Sequence, residues 1–244
     1  MLLPQEFSVL RALFIEPISN PLMLEVDLEP YYILSQERNL LTIIDNTFLT
    51  PYLSTPLEEG ADIVLHSGTK YIGGHNDVLG GIVTVKDPQL AEDFNALHNM
   101  IGATLSPIDS YLLQRGLKTL HLRLDRSEEN AKRLAERCST LSSISEVLYS
   151  GRTGMMSLRL HKDYSVAKFL ENIDVCIFAE SLGGTETLIT FPYTQTHVDM
   201  PDVEKDKRGI DEYLIRLSIG VENYEDIEAD IIQALENSKV GVIS

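Results

Sequence analysis

Two short apolar runs constrain this chain most, because each ends abruptly in residues that carry chemistry. Residues 40–44 lead into Asp45, and residues 63–65 lead into His66-Ser67 and then Gly68-Thr69-Lys70. Short apolar runs without alternation suit strands covered on both faces, the usual condition of a parallel sheet. In open α/β sheets, ligands bind outside the carboxyl ends of the strands. An acid, two hydroxyls and a lysine are therefore expected along one rim.

That set suits pyridoxal phosphate (PLP). A lysine in the position of Lys70 forms the Schiff base, and an acid in the position of Asp45 keeps the pyridine nitrogen protonated. The hydroxyls of Ser67 and Thr69, with nearby backbone N–H groups, take phosphate oxygens. Plainer readings stand beside this one. Lys70 by itself is a solvated charge, although burial after an apolar strand would depress its pKa and make it nucleophilic. Asp45-Asn46-Thr47 by itself is capping chemistry. His66 and His75 flank the lysine either as supporting groups or as ordinary satisfied polar residues.

The remaining pattern supports an α/β fold. Strands are expected at 12–16, 40–44, 63–65 and 82–85, with helices at 28–36 and from Pro88 to about Met100. This alternation means a mostly parallel sheet with helices on its faces. Pro107 opens a helical stretch to about Ser139, with Gly116 as a candidate break. A second domain is expected to begin near there, dividing the chain into residues 1–120 and 121–244. It holds candidate strands 144–149, 155–160 and 175–178, a helix at 166–172 and a last helix at 224–236. Residues 199–208 are expected to be a surface loop. Within 214–220 an alternating strand carries Arg216 between apolar residues. That arginine is either a structural ion-pair partner or a bidentate clamp on a substrate carboxylate. Ser181-Leu182-Gly183-Gly184, after another apolar run, is either a plain loop or a source of donors to the same carboxylate.

Composition narrows the partners. The net charge of −17 argues against nucleic acid and anionic membranes. No run approaches the roughly 20 apolar residues of a membrane helix, and the first residues do not read as a signal peptide. Cys138 and Cys176 give neither a disulfide framework nor a metal spacing and are expected as reduced thiols in a cytoplasmic protein. The scattered histidines suggest no metal site. Gly73-Gly74 and Gly80-Gly81 lack the spacing and the strand–helix context of a dinucleotide fingerprint.

Several longer segments, in order, carry a resemblance. They are Phe14-Ile15-Glu16-Pro17-Ile18-Ser19-Asn20-Pro21, Ile44-Asp45-Asn46-Thr47-Phe48-Leu49-Thr50-Pro51, and the run from Ala61 through Ser67-Gly68-Thr69-Lys70 to His75. Later come Arg115-Gly116-Leu117-Lys118-Thr119-Leu120, Ala179-Glu180-Ser181-Leu182-Gly183-Gly184-Thr185-Glu186 and residues 214–222. The chain thereby resembles the PLP-dependent enzymes of cysteine and methionine metabolism. These include cystathionine γ-synthase, the cystathionine lyases, methionine γ-lyase and the homoserine-ester sulfhydrylases.

The resemblance implies an aspartate-aminotransferase-like PLP-transferase fold, here a partial large domain plus a smaller α+β domain. It implies that Lys70 is the Schiff-base lysine and proton carrier and that Asp45 pairs with the pyridinium. Asn20 meets the ring hydroxyl, Ser67 and Thr69 bind phosphate, and Ser181 with Arg216 holds the substrate α-carboxylate. The compact connection at residues 147–156, with residues 190–197, looks most like a bacterial cystathionine γ-synthase that also resembles O-acetylhomoserine sulfhydrylases. The implied reaction replaces the acyloxy group of an O-acylhomoserine by cysteine to give cystathionine, with direct sulfhydrylation as a side activity. Cystathionine β- or γ-lyase activity is the alternative, and a non-catalytic remnant is the alternative of another class.

Family members also carry a longer N-terminal segment. It supplies a glycine-rich phosphate loop, an aromatic that stacks on the cofactor ring and a Tyr/Arg pair reaching into the partner subunit. A chain without it is expected to hold PLP weakly, to assemble poorly into the family's tetramer of dimers, and to expose apolar surface.

Overall fold

A computed structural model describes residues 10–196 and 198–240. The chain divides into two compact units. One takes the residues up to Ile18, Glu25–Gly73 and Asp77–Lys118. The other takes Ser19–Leu24, Gly74–Asn76 and everything from Thr119 onward.

The first unit is built on a four-stranded sheet. Its strands are β1 (Ala12–Ile15), β2 (Leu41–Asp45), β3 (Ile63–Ser67) and β4 (Gly81–Val85), side by side in that order. β1, β2 and β3 run parallel, and β4 returns antiparallel to β3. The parallel core is thus as expected, extended by an antiparallel edge strand. Helix α1 (Glu29–Arg38) links β1 to β2. It has Pro30 in its first turn, and Asn39 follows its last residue in the left-handed conformation. The short helices α2 (Thr50–Leu53) and α3 (Pro56–Glu59) link β2 to β3, each with a proline in its first turn. Tyr32, Ile44, Ala61 and Val64 form the small core beneath one sheet face.

Helix α4 (Pro88–Ile101) is capped by Asp87, whose carboxylate accepts from the N–H groups of Gln89 and Leu90. Helix α5 (Pro107–Leu117) is capped by Ser106. The helical break comes after Leu117, not at Gly116. Gly116 lies inside α5, where an added Cβ would stand 2.4 Å from the Ile72 carbonyl oxygen and 2.3 Å from that of Gly73. Close approach to the lysine segment, not a break, accounts for that glycine.

The second unit opens with α6 (Leu120–Cys138). Its five-stranded sheet has the order β5 (Ile144–Leu148), β6 (Met155–Leu160), β9 (Leu214–Ser218), β8 (Leu188–Thr190), β7 (Ile177–Phe178). Helices α7 (Val166–Glu171), α8 (Asp202–Lys207) and α9 (Tyr224–Asn237) complete it. One core joins α6, α9 and Phe169 of α7 to Met156, Leu158 and Leu160 of β6 and to Ile215 and Leu217 of β9. Alternation then sends Ser157 and Arg216, which are register partners, to the other face.

Two expectations are corrected here. Residues 199–208 are not all loop, because 202–207 form α8. Lys205 there is buried. Its Nζ donates to the Tyr193 carbonyl at 3.2 Å and lies 4.5 Å from the Tyr193 ring centroid. A polar stretch can hide its one inward residue when that residue is a lysine with a long apolar stem. The strand expected at 175–178 shortens to Ile177–Phe178, because the N–H groups of Val175 and Cys176 donate to the Asp230 carboxylate instead of a ladder.

Candidate active site

The first unit gathers Asp45, Ser67, Thr69 and Lys70 at the carboxyl ends of β2 and β3. Asp45 closes β2 and pairs with Leu65 in register, and Ser67 closes β3 on the same face two residues further on. The Asp45 carboxylate accepts from Thr47 N at 3.1 Å and from Thr47 Oγ1 at 2.5 Å, both on Oδ1. Thr47 Oγ1 in turn accepts from Ser67 N at 2.8 Å. One hydroxyl thereby fixes the acid and ties it to the neighbouring strand end. Asp45 caps its own turn through Oδ1.

Asn46, fully buried, donates from Nδ2 to the carbonyls of Thr50 and Ser54, each at 3.0 Å, so the loop after Asp45 is held from inside. Burial, and then the neighbouring Asp45, push the Glu16 carboxyl above its usual range. Burial lowers the His66 pKa, against the opposing pull of its bond to the Asn46 backbone and the charge of Asp45. A concentration of carboxylate at this rim favours a bound cation such as a pyridinium.

Lys70 stands within a π-helical turn, Gly68–Ile72, and is its one residue off helical geometry, at φ −93° and ψ −131°. Single π turns of this kind recur at functional sites. The turn is anchored on both sides of the lysine. Gly73 N donates to the Gly68 carbonyl at 2.8 Å, and Thr69 Oγ1 accepts from Gly80 N at 3.1 Å. Thr69 therefore already has a structural partner in Gly80. Its hydroxyl also donates to the Gly80 carbonyl, with Oγ1 3.4 Å from that oxygen.

The second unit gathers the other three expected residues. Arg216 is 2% exposed, at the middle of β9. Its Nη2 donates to the carbonyls of Glu180 (2.7 Å) and Ser181 (3.2 Å) and to Thr190 Oγ1 (2.7 Å). Its Nη1 donates to Asn20 Oδ1 at 3.3 Å. These four partners are neutral oxygens. Asn20 is exposed, and the segment that bears it is pinned where Ser157 Oγ donates to the Pro21 carbonyl at 2.6 Å.

Thr47 and Thr190 were not apparent as site residues from sequence. A threonine two residues past the acid was visible as a turn signal only. Thr190 becomes a partner of Arg216 solely because β8 and β9 pair in register.

A parallel sheet with an acid at one strand end and a lysine on a kinked turn at the next is an arrangement that suits the PLP-dependent α/β class. The chain belongs to the Cys/Met metabolism PLP-dependent enzyme family, which it matches over residues 8–236. Among its relatives, the cystathionine gamma-synthase of Haemophilus influenzae is 50% identical over 229 residues, covering 94% of this chain and 62% of the relative. A cystathionine beta-lyase of Lactococcus lactis subsp. cremoris is 43% identical, covering 93% of this chain and 64% of the relative. The crystal structure of cystathionine gamma-lyase from Lactobacillus plantarum superposes with a TM-score of 0.90 at 38% identity, covering 93% of this chain and 64% of that one. The chain thus spans a little under two-thirds of the length of these relatives.

The family implies PLP, and the residues present fit it. The donor set of the first unit offers a fixed acid for a pyridinium, a lysine on a kinked turn, and serine and threonine hydroxyls beside backbone N–H groups. Cys138 and Cys176 are both buried and unpaired, and burial pushes the Cys138 thiol up to about 12, which makes it inert. Among the described residues no helix is long and apolar enough to cross a membrane.

Proposed function

We propose that this chain carries the catalytic machinery for exchanging the γ-acyloxy group of an O-acylhomoserine for the thiol of cysteine, giving cystathionine and a carboxylic acid. The observation that carries the reading is the bonded series Asp45–Thr47–Ser67 leading directly into the kinked turn of Lys70. Sulfide in place of cysteine would give direct sulfhydrylation.

When bound, PLP supplies an electron sink for carbanionic charge on the amino-acid substrate. Asp45 would hold the ring N–H and keep the ring cationic. Asn20 has its amide NH2 for the ring hydroxyl while its Oδ1 receives Arg216. Ser67 and Thr69 hold phosphate oxygens. Lys70 anchors the cofactor and carries protons between the substrate's Cα and Cβ. Arg216 and Ser181 would bind the substrate α-carboxylate. The thiol proton departs with the released acid, so the exchange is balanced.

On this reading the first unit is a partial large, cofactor-binding domain and the second the smaller domain. The protein works in the cytoplasm on small amino-acid substrates. Cleavage of cystathionine by elimination is the second reading, favoured by relatives named as lyases at 40–43% identity. Incubation with O-acetylhomoserine plus cysteine, against cystathionine alone, separates the two by product.

Visible absorbance on adding PLP is the first test, with Lys70→Ala as control. A yellow band seen with Lys70 and lost in the variant is the expected result. A band of equal strength in both would remove Lys70 from its role, and no band in either would place this chain among non-catalytic remnants.

A further inference from the structure

Asn76 follows Lys70 by six positions, yet its side chain serves a different segment. It sits in the left-handed region at φ 53°, a conformation that asparagine tolerates better than most residues. From there Nδ2 donates to Glu186 Oε2 at 2.9 Å, and Oδ1 accepts from Ser181 Oγ at 3.4 Å. The two ends of the Ser181–Glu186 loop thus meet on one amide. Gly184, between them, is packed against the same group: a Cβ there would lie 2.4 Å from Asn76 Nδ2.

The far side of this loop is tied to the β9 end of the sheet. Gly183 N donates to Ser218 Oγ at 2.8 Å, and Val221 N donates to the Thr185 carbonyl at 2.8 Å. Thr187 N and Oγ1 both donate to Glu222. The carbonyls of Glu180 and Ser181 receive Arg216. The loop is therefore fixed from inside by the sheet and from outside by Asn76 alone among these contacts.

We propose that Asn76 is a positioning residue that sets the Ser181–Glu186 loop, and with it the α-carboxylate subsite of Ser181 and Arg216. The proposal rests on the functional reading above for the identity of the ligand, but its mechanical part does not. Without the amide, Ser181 loses an acceptor, Glu186 loses its donor, and the loop keeps only its inner ties. The role is one of preorganisation, so its loss weakens carboxylate binding without touching the cofactor residues.

Two variants separate side chain from backbone. Asn76→Gly keeps the left-handed conformation and removes the amide. Asn76→Asp keeps shape and an acceptor for Ser181, but removes the donor and sets a like charge against Glu186. Amide hydrogen exchange across residues 181–187 is measured on the chain without ligand. It is expected to quicken about five- to tenfold in both variants, the scale of one hydrogen bond, while the β6 and β9 peptides stay unchanged. On PLP-loaded protein, L-alanine binding, read from the visible band, is expected to weaken by a similar factor, with the starting band itself the same. Unchanged exchange in both variants overturns the proposal, as does faster exchange with undiminished L-alanine binding. If the parent chain fails to take PLP or L-alanine, the functional reading fails separately, and the exchange result alone decides the positioning role.

Discussion

At the residue scale, the decisive atom is the Thr47 hydroxyl. It donates to Asp45 and accepts from Ser67 N, so it sets the direction of the carboxylate and the spacing of two strand ends together. Thr47→Val keeps the shape and removes both bonds. A hydrogen bond to a charged group is worth about 1.5–3 kcal/mol. PLP affinity, titrated by the visible band, is therefore expected to fall about tenfold or more, with Thr47→Ser close to the parent. An unchanged affinity in Thr47→Val would mean that Asp45 is oriented by something else. Arg216 shows the complementary lesson. Its sequence neighbours suggested a charge isolated in an apolar strand, and in the structure it donates to oxygens of Asn20, Glu180, Ser181 and Thr190.

At the scale of elements, Asp230 on α9 organises the segment before β7. Its carboxylate accepts from the N–H groups of Asp174, Val175 and Cys176. Burial alone would raise its pKa, but the hydrogen bonds from the Cys176 and Asp174 backbone outweigh this and hold it below the usual value of 3.8. A folded-state pKa below the unfolded one means stability that is present above pH 3.8 and is lost as pH falls below it. Asp230→Ala strands three backbone donors and is expected to cost about 3 kcal/mol, measured by denaturant unfolding at neutral pH. The same variant should lose less stability than the parent between pH 4 and pH 2, roughly the window that a lowered carboxylate implies. A parallel acid limb in both proteins would show that Asp230 does not titrate differently on folding. The element pattern itself was largely legible: β1 to β4, α4, α6 and α9 lie close to where apolar runs, prolines and glycines put them. The short α2 and α3, the π turn and α8 were not, because each is held by contacts from outside its own few residues.

At the scale of the whole chain, part of one sheet face in the first unit is left exposed among the described residues. Phe14, Leu41 and Val83 share that face, by register with Ile43 and Leu65, and are 59%, 38% and 47% exposed. The face ends in Asp45 and Ser67. Exposed contiguous apolar surface of this kind drives association. The chain is expected to self-associate with rising concentration in sedimentation velocity, and Phe14→Lys with Val83→Lys to suppress this. A monodisperse parent that the two lysines leave unaltered would count against it.

What the sequence determined by itself was the strand order of chemistry: an acid and a lysine each placed just beyond an apolar run, in segments specific enough to show the family. Apolar runs and chain breakers act locally, so they can be read locally. What only the tertiary structure decided was which partners complete each group. Thr47 reaches Ser67 through strand pairing, Thr190 reaches Arg216 through register, and Asn76 reaches a loop more than a hundred positions away. Hydrogen-bond partners depend on where the packed core brings distant backbones together, and no local pattern in the chain encodes that meeting.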